Sequence, residues 1–166
     1  MGIMEHIEPA GVHSGDSSAV LPTYSLSDEV LELMQAYTVK LAKALKIKGL
    51  INIQFAIKGE TVYVIEANPR ASRTTPFIAK AYQVPYLKIA TMVMIGAAKL
   101  TDFEIVKKLE GFAIKVPVFS FNKFPNVDKN LGPEMKSTGE AIRFIDNLQD
   151  PFFRELDRQR SMFLTR

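Results

Sequence analysis

Apolar and polar residues alternate most clearly along residues 51–57. Every second residue of this run, beginning with Ile51, is large and apolar, and Asn52 and Gln54 lie between them. Side chains of a β-strand alternate between its two faces. The pattern therefore predicts a strand with one apolar face and one face that carries two amides.

A second strand is predicted over residues 62–68. The residues that alternate onto one of its faces are Val62, Val64, Glu66 and Asn68. The segment 58–60 between the two strands is short and contains a glycine, which predicts an antiparallel hairpin. A turn with this odd number of residues would direct Gln54 and Glu66 to the same face.

The polar residues of this hairpin form a set suited to a metal-bound polyphosphate. Mg²⁺ prefers oxygen ligands, usually one or two carboxylates completed by phosphates and water. Glu66 and the amide oxygens of Gln54 and Asn68 meet that requirement. Arg70 and Arg73 follow, and their planar guanidinium groups suit phosphate oxygens and the charge that develops in phosphoryl transfer.

A purely structural interpretation of Glu66 stays open. Its carboxylate could pair with Arg70 or Arg73 at the end of a strand, and Asn68-Pro69 is a common start of a turn. The apolar character of residues 62–67 favours the metal interpretation, because a buried carboxylate is costly unless a cation accompanies it.

Helices are predicted on both sides of the hairpin. The spacing of apolar residues predicts a helix over residues 28–45, with one of the two preceding serines as N-cap. Two more are predicted over residues 75–82 and 85–97, each with a proline near its first turn. A last helix is predicted over residues 150–164.

The other segments predict a sheet edge, a surface connection and parts of a core. Residues 113–121 predict an edge strand, because Pro117 cannot donate to a neighbouring strand. Residues 122–139 are rich in Pro, Gly, Lys and Asn, which predicts a connection at the surface or at a subunit contact. The Met and Ile side chains within residues 92–95 are predicted to be core, and Phe163 is predicted to be partly buried.

Composition is typical of a globular protein. The 166 residues are 47% hydrophobic, which is enough for a core, and we expect a partial domain over residues 1–145 followed by a helical tail over residues 146–166. A net charge of +3 does not predict a nucleic-acid partner. Cysteine is absent, and no signal peptide or apolar run of about 20 residues is found, so we expect a cytoplasmic location away from membranes.

Five longer motifs are specific enough for a comparison with known families: GIMEHIE at residues 2–8, GVHSGDS at 11–17, NPRASRT at 68–74, FNKFP at 121–125 and LGPEMKSTGE at 131–140. They resemble the large chain of carbamoyl phosphate synthetases, which contains two homologous ATP-grasp halves. The last two resemble the second half, which phosphorylates carbamate. The similarity extends over almost the whole sequence.

The resemblance implies an α+β fold, namely the C-terminal part of an ATP-grasp domain with an antiparallel sheet and packed helices, incomplete at its N-terminal side. It also implies roles for residues at matching positions. The nucleotide site would include Gly11, Val12, His13 and Ser14; Gln54 and Glu66 would contact both nucleotide and metal; Asn68 would complete the metal shell; Arg70 and Arg73 would act on the phosphates in catalysis. His6 is expected to be structural.

The function implied by the resemblance is that of a fragment or split subunit of a glutamine-dependent, ATP-dependent ligase of arginine and pyrimidine biosynthesis. Its cofactors would be ATP and Mg²⁺ or Mn²⁺. Its partners would be the rest of the large chain, the glutaminase small subunit and a carbamate derived from bicarbonate, and a homo-oligomer stays open. The isolated chain is expected to be inactive. Two alternatives remain: another ATP-grasp carboxylate-amine ligase or carboxylase, and a non-catalytic assembly module.

Overall fold

Strands pair into one four-stranded sheet and one separate hairpin. The computed structural model describes residues 2–105, 108–124 and 126–164, and only the backbone of residues 162–164. Within these ranges the strands are β1 (Glu5–His6), β2 (Ala19–Leu21), β3 (Asn52–Lys58), β4 (Thr61–Asn68), β5 (Phe112–Val118) and β6 (Gly139–Ile145). The helices are α1 (Asp28–Ala44), α2 (Thr74–Tyr82), α3 (Tyr86–Met94) and α4 (Pro151–Leu164).

The chain folds as two units, each with its own elements. The first, Ser25–Lys107, contains α1, the β3–β4 hairpin, α2 and α3. The second combines Gly2–Tyr24 with Lys108–Arg166 and contains β1, β2, β5, β6 and α4. The helix α4 thus belongs to the second unit. None of the described helices has the length and apolar character that a membrane span needs.

The second unit is an antiparallel sheet with the strand order β1-β2-β5-β6 and a helix on one face. Val20 lies opposite Ile114 in neighbouring strands, and both are fully buried. With Ile7 and Ile145 they form a core against Phe153 of α4. Burying such side chains gains roughly 2 kcal/mol each, so this apolar layer holds α4 on the sheet. The predicted antiparallel sheet with a packed helix is confirmed.

The prediction that residues 113–121 form an edge strand is wrong. Strand β5 pairs with β2 on one side and with β6 on the other. Pro117 is tolerated because pairing with β2 ends at Lys115, so only β6 flanks the proline. A strand can have a neighbour on both sides along only part of its length. It can carry a proline where the shorter neighbour has ended, because no hydrogen bond is needed on that side.

A polar network joins the start of the second unit to α4. Glu5 is only 6% exposed, and its Oε1 accepts a hydrogen bond from Nη1 of Arg160 at 2.6 Å. Its Oε2 accepts from the backbone N–H of Tyr24 at 3.0 Å. The Tyr24 hydroxyl donates to Asp157 at 2.8 Å, and the Arg160 guanidinium lies over the Tyr24 ring. The buried carboxylate is therefore both paired and hydrogen-bonded, as its burial requires.

The first unit confirms the predicted helices. Ser27 is the N-cap of α1 and accepts from the backbone N–H of Val30 at 3.4 Å. Acidic residues fill the first turn of α1, where the helix dipole favours them. The buried apolar residues of this unit lie on α1, β4, α2 and α3 and in the turn before α3, and they are Val30, Met34, Val62, Phe77, Ala81, Val84, Ile89 and Ala90.

The prediction of a core at residues 92–95 is wrong for its last two members. Met94 is 52% exposed and Ile95 is 72% exposed. The reason is that α3 ends at Met94, earlier than predicted, and the chain turns through Gly96 with a φ of +73°. The predicted partial burial of Phe163 lies outside the described side chains.

Replacing Arg160 by Gln is expected to destabilise the second unit, because the buried Glu5 carboxylate would lose its cation. Removal of one partner of a buried ion pair costs about 3 kcal/mol. Urea unfolding would measure the loss. Arg158→Gln is the matched control, since Arg158 pairs with Glu155 on the exposed face of α4, and its cost should stay below about 0.5 kcal/mol. Equal costs for the two variants would contradict the role of the network.

The stability of the chain is expected to fall as the pH falls from about 6.5 to about 4. Burial lowers the pKa of His6 to about 4, and the positive charge of Lys115 adds to the effect. Between these pH values the unfolded chain binds a proton at His6 that the folded chain does not, which lowers the free energy of unfolding by up to about 3 kcal/mol. Urea unfolding at pH 7.5 and pH 5 would measure the decline.

His6→Gln is the comparison protein for this pH dependence. Glu8 also titrates in this region, because burial raises the pKa of its carboxyl, but it contributes equally to both proteins. The decline between pH 7.5 and pH 5 should therefore be smaller in the variant. The same decline in both proteins would show that His6 is not its source.

Candidate functional site

The hairpin of the first unit places its polar residues directly opposite one another. Gln54 in β3 pairs with Glu66 in β4, and Asn52 pairs with Asn68. Directly opposed residues in an antiparallel pair share a face, with Cβ atoms about 5 Å apart. The structure therefore brings together Gln54, Glu66 and Asn68, the three predicted metal ligands.

The predicted three-residue turn is wrong. A β-bulge, and not the length of the turn, directs Gln54 and Glu66 to the same face. Lys58 pairs with Thr61, so the turn consists of two residues. The register then shifts between Gln54 and Phe55, which leaves Ile65 as an extra residue in β4. Without that shift Gln54 would lie opposite Ile65, because each step back along β3 would be matched by one step forward along β4. The bulge is what brings Glu66 opposite Gln54.

The bulge also corrects the predicted faces of β4. Val62 and Val64 pair with Ile57 and Phe55, so they lie on the apolar face of the hairpin. Glu66 and Asn68 lie on the opposite face with the amides of β3. The prediction that all four residues of β4 share a face is wrong, since an inserted residue exchanges the two faces beyond it.

The expectation that Glu66 is buried is also wrong. Glu66 is exposed, because its face of the hairpin is the one opposite the buried Val62. Its Oε1 accepts a hydrogen bond from Nδ2 of Asn68 at 2.8 Å. The amide group of Asn68 therefore lies directly beside the Glu66 carboxylate.

These donors suit a divalent cation that binds hard oxygen atoms. One carboxylate and neighbouring amide oxygens can supply part of an octahedral shell, and phosphates and water complete it. Among the described residues no group of three His, Cys, Asp or Glu side chains could hold a metal. A metal bound at the hairpin would therefore use amide oxygens beside Glu66.

The two predicted arginines follow β4 at the surface. Arg70 and Arg73 are exposed, and Nη1 of Arg70 donates to the carbonyl oxygen of Ala71 at 3.1 Å. Arg73 immediately precedes α2, whose N-terminus carries a partial positive charge. The alternative in which Glu66 pairs with Arg70 is not the arrangement that forms, since the carboxylate bonds to Asn68 instead.

The segment Gly11–Ser14 lies in the second unit and is fixed by hydrogen bonds. Gly11 has a φ of +108°, which favours glycine. The backbone N–H of His13 donates to the carbonyl of Gly132 at 2.8 Å. The carbonyl of Ser14 accepts from Nζ of Lys115 at 2.8 Å, and Lys115 is only 1% exposed.

One ring nitrogen of His13 accepts a hydrogen bond from the backbone, and the other is left as a donor. Its Nδ1 accepts a hydrogen bond from the backbone N–H of Gly15 at 3.0 Å. A neutral imidazole that accepts at Nδ1 carries its proton at Nε2. His13 can therefore donate a hydrogen bond to a ligand through Nε2 without breaking the local turn.

Sequence reasoning did not assign a role to three residues of these surroundings. Asn52 lies on the same face as Gln54 and opposite Asn68, and the Asn-x-Gln spacing was its signal. Asp16 and Lys115 contact the Gly11–Ser14 segment or its neighbours from buried positions. A lysine within the apolar run of β5 was a signal for Lys115, and Asp16 had none beyond its place in the loop.

Solved structures similar to this chain share its fold. A biotin carboxylase domain of a single-chain bacterial carboxylase aligns with a TM-score of 0.63 at 16% identity, over 89% of this chain and 39% of that one. N5-carboxyaminoimidazole ribonucleotide synthetase from Thermus thermophilus aligns with a TM-score of 0.61 at 15% identity, over 98% of this chain and 44% of that one. The predicted α+β ATP-grasp fold is confirmed.

Curated relatives are much closer in sequence. The carbamoyl phosphate synthase large chain of Methanobrevibacter smithii is 53% identical over 157 residues, which are 92% of this chain and 15% of the relative. That of Acidobacterium capsulatum is 52% identical over 159 residues, which are 91% of this chain and 14% of the relative. The chain thus spans about one seventh of the length of the relatives it matches.

A family model confirms the resemblance. The model described as carbamoyl-phosphate synthase L chain, ATP binding domain, matches residues 1–101, a range that includes the hairpin and the Gly11–Ser14 segment. The chain belongs to the family of carbamoyl-phosphate synthase L chain ATP-binding domains.

Proposed function

We propose that this chain contributes residues of an MgATP site in the large chain of a carbamoyl phosphate synthase, in the half that phosphorylates carbamate. The observation that carries the proposal is the pairing of Glu66 with Gln54 beside Asn68, in a hairpin whose bulge puts these three side chains on one face. More than half of the aligned residues are identical in synthase large chains. That identity favours a synthase over the other ATP-grasp ligases and carboxylases.

The role proposed for the hairpin is to hold a divalent metal with the phosphates of ATP. Glu66 would bind the metal with its carboxylate, and Asn68 and Gln54 with their amide oxygens. The metal, Mg²⁺ or Mn²⁺, would neutralise charge on the phosphates. Arg70 and Arg73 would donate hydrogen bonds to phosphate oxygens, which suits transfer without a covalent intermediate on the protein.

The role proposed for Gly11, Val12, His13 and Ser14 is to contact the nucleotide. The support is that this segment is held by hydrogen bonds from outside it and that His13 presents an Nε2 donor. A donor held in a fixed position loses little freedom when a ligand binds.

The reaction proposed for the complete large chain is phosphorylation of carbamate by MgATP, which yields carbamoyl phosphate and MgADP. The carbamate would form from bicarbonate and from ammonia that a glutaminase subunit releases from glutamine. The partners would be that subunit and the rest of the large chain, in arginine and pyrimidine biosynthesis. A cytoplasmic location, a homo-oligomer and the domain limit after residue 145 also stay predictions.

Glu66→Gln is expected to weaken binding of MgATP by this chain at least about tenfold, because an amide oxygen replaces the carboxylate that Mg²⁺ prefers. Calorimetric titration would measure the change. Glu60→Gln is the matched control, since Glu60 lies in the turn of the same hairpin and outside the strand pairing, and it should bind as the wild type does. Equal affinities for the wild type and Glu66→Gln would overturn the proposed metal ligand. A folded wild-type chain without MgATP binding would count against the proposed nucleotide site in this chain.

Arg73→Lys is expected to reduce affinity for ATP about fivefold while leaving affinity for AMP unchanged. Lysine keeps the charge but loses the planar fork that binds two phosphate oxygens. Competition titrations with ATP, ADP and AMP would measure the three affinities. A uniform loss for all three nucleotides would contradict a phosphate contact, because such a loss would mean that the substitution affects the adenosine part.

A further inference from the structure

A buried carboxylate outside the predicted site is hydrogen-bonded to a distant segment of the second unit. Asp16 is fully buried. Its Oδ2 accepts from the backbone N–H of Lys136 at 2.7 Å, and its Oδ1 accepts from the backbone N–H of Ser137 at 2.8 Å. Two consecutive N–H groups thus bind the two oxygens of one carboxylate. Hydrogen bonds to an ionised acceptor are stronger than neutral ones.

The segment that contains Asp16 and the segment that contains Ser137 make further contacts with each other. The Ser137 hydroxyl donates to the carbonyl of Gly15 at 2.9 Å. The backbone N–H of His13 donates to the carbonyl of Gly132 at 2.8 Å. Asp16 is therefore the centre of a row of hydrogen bonds along which the segments lie side by side.

Asp16 and its neighbour Ser17 also position His13 directly. The backbone N–H of Asp16 donates to the carbonyl of His13 at 2.8 Å, and the Ser17 hydroxyl donates to the same carbonyl at 3.3 Å. Together with the bond from Gly15 to Nδ1 of the ring, these contacts place the backbone and the imidazole of His13 relative to the Asp16 carboxylate. Movement of Asp16 would move His13.

The distant segment is itself closed into a ring by one lysine. Nζ of Lys136 donates to the carbonyl oxygens of Asp128 and Asn130, at 3.0 and 2.6 Å, and pairs with the Asp128 carboxylate at 3.2 Å. Asp128 in turn accepts from the backbone N–H of Asn130 at 3.0 Å. Residues 128–136 therefore form a closed loop, which gives Asp16 an ordered partner in a connection without regular secondary structure.

We propose that Asp16 is a positioning residue for Gly11–Ser14, which we call the nucleotide segment. By binding the backbone of Lys136 and Ser137, Asp16 holds this segment in the conformation in which His13 presents Nε2 to the nucleotide. The proposal rests on the proposed function. Asp16 is buried and uses both carboxylate oxygens on the backbone of Lys136 and Ser137, so it acts through His13 and is not a catalytic residue.

The protonation state of Asp16 agrees with this role. Burial alone would raise the pKa of its carboxyl, but hydrogen bonds from Ser137 and Lys136 outweigh burial and hold this pKa below its usual range. The group is therefore ionised at neutral pH and accepts at both oxygens. An amide in its place could accept at one oxygen only and would direct an N–H₂ group at a backbone N–H.

The test is amide hydrogen exchange on Asp16→Asn, with Asp146→Asn as the matched control because Asp146 is an exposed carboxylate of the same unit. The informative group is the backbone N–H of His13, which bonds to Gly132 and not to Asp16. We expect it to exchange at least about tenfold faster in Asp16→Asn, because a buried charge-assisted bond is lost. The amides that pair β5 with β6 should exchange as in the wild type, which would show that the unit remains folded.

Ser137→Ala provides a milder variant if Asp16→Asn does not fold. It removes the hydroxyl that donates to Gly15 and keeps the Asp16 carboxylate, so the His13 amide should exchange roughly threefold faster. An unchanged rate for the His13 amide in the folded variants would overturn the proposal.

Titration with MgATP completes the test. A roughly tenfold loss of affinity in Asp16→Asn, with none in Asp146→Asn, would support positioning of the nucleotide segment. Faster exchange with unchanged affinity would overturn it, because the segment would then be ordered without serving the nucleotide. If the wild type binds no MgATP, the proposed function fails, and exchange at His13 still decides whether Asp16 fixes the segment.

Discussion

Two buried carboxylates near the start of the chain hold the second unit together. Glu5 is paired with Arg160, and Asp16 accepts from Lys136 and Ser137, so each binds partners at least 120 residues away along the chain. Burying a carboxylate is costly unless a cation or hydrogen-bond donors accompany it. The apolar core attaches α4 to the sheet. The two carboxylates bind Arg160 of α4 and the backbone of Lys136 and Ser137, and so hold these segments beside the first residues of the chain.

The candidate residues of the two units are held by different physical means. On the hairpin, strand register brings Glu66 opposite Gln54, and the side chains themselves stay exposed. In the second unit, His13 and Ser14 depend on hydrogen bonds from buried groups, among them Lys115. Exposed oxygen donors leave room for phosphates and water around a metal, whereas an ordered backbone segment suits contact with a ligand of fixed shape.

Much of the fold is predictable from local pattern, because a helix or a hairpin is specified by neighbouring residues. The N-cap Ser27, the helices α1 and α2 and the pairing of β3 with β4 are all of this kind. The bulge is not predictable, because a two-residue turn with a bulge and the predicted three-residue turn without one both place Glu66 on the same face as Gln54. The role of Asp16 is not predictable either, since its partners come 120 residues later and donate through the backbone, whose N–H groups are the same in almost every residue.

Ile65 has a consequence for how this hairpin can change during evolution. The side chain of Ile65 is 56% exposed, so many residue types can occupy its position at little cost. Its loss would remove the bulge but leave Val64 opposite Phe55 and Glu66 opposite Gln54, because Glu66 would then follow Val64 directly in a regular pairing. We therefore expect relatives to differ at this position both in residue type and in the presence of the residue itself, while Glu66 stays opposite Gln54.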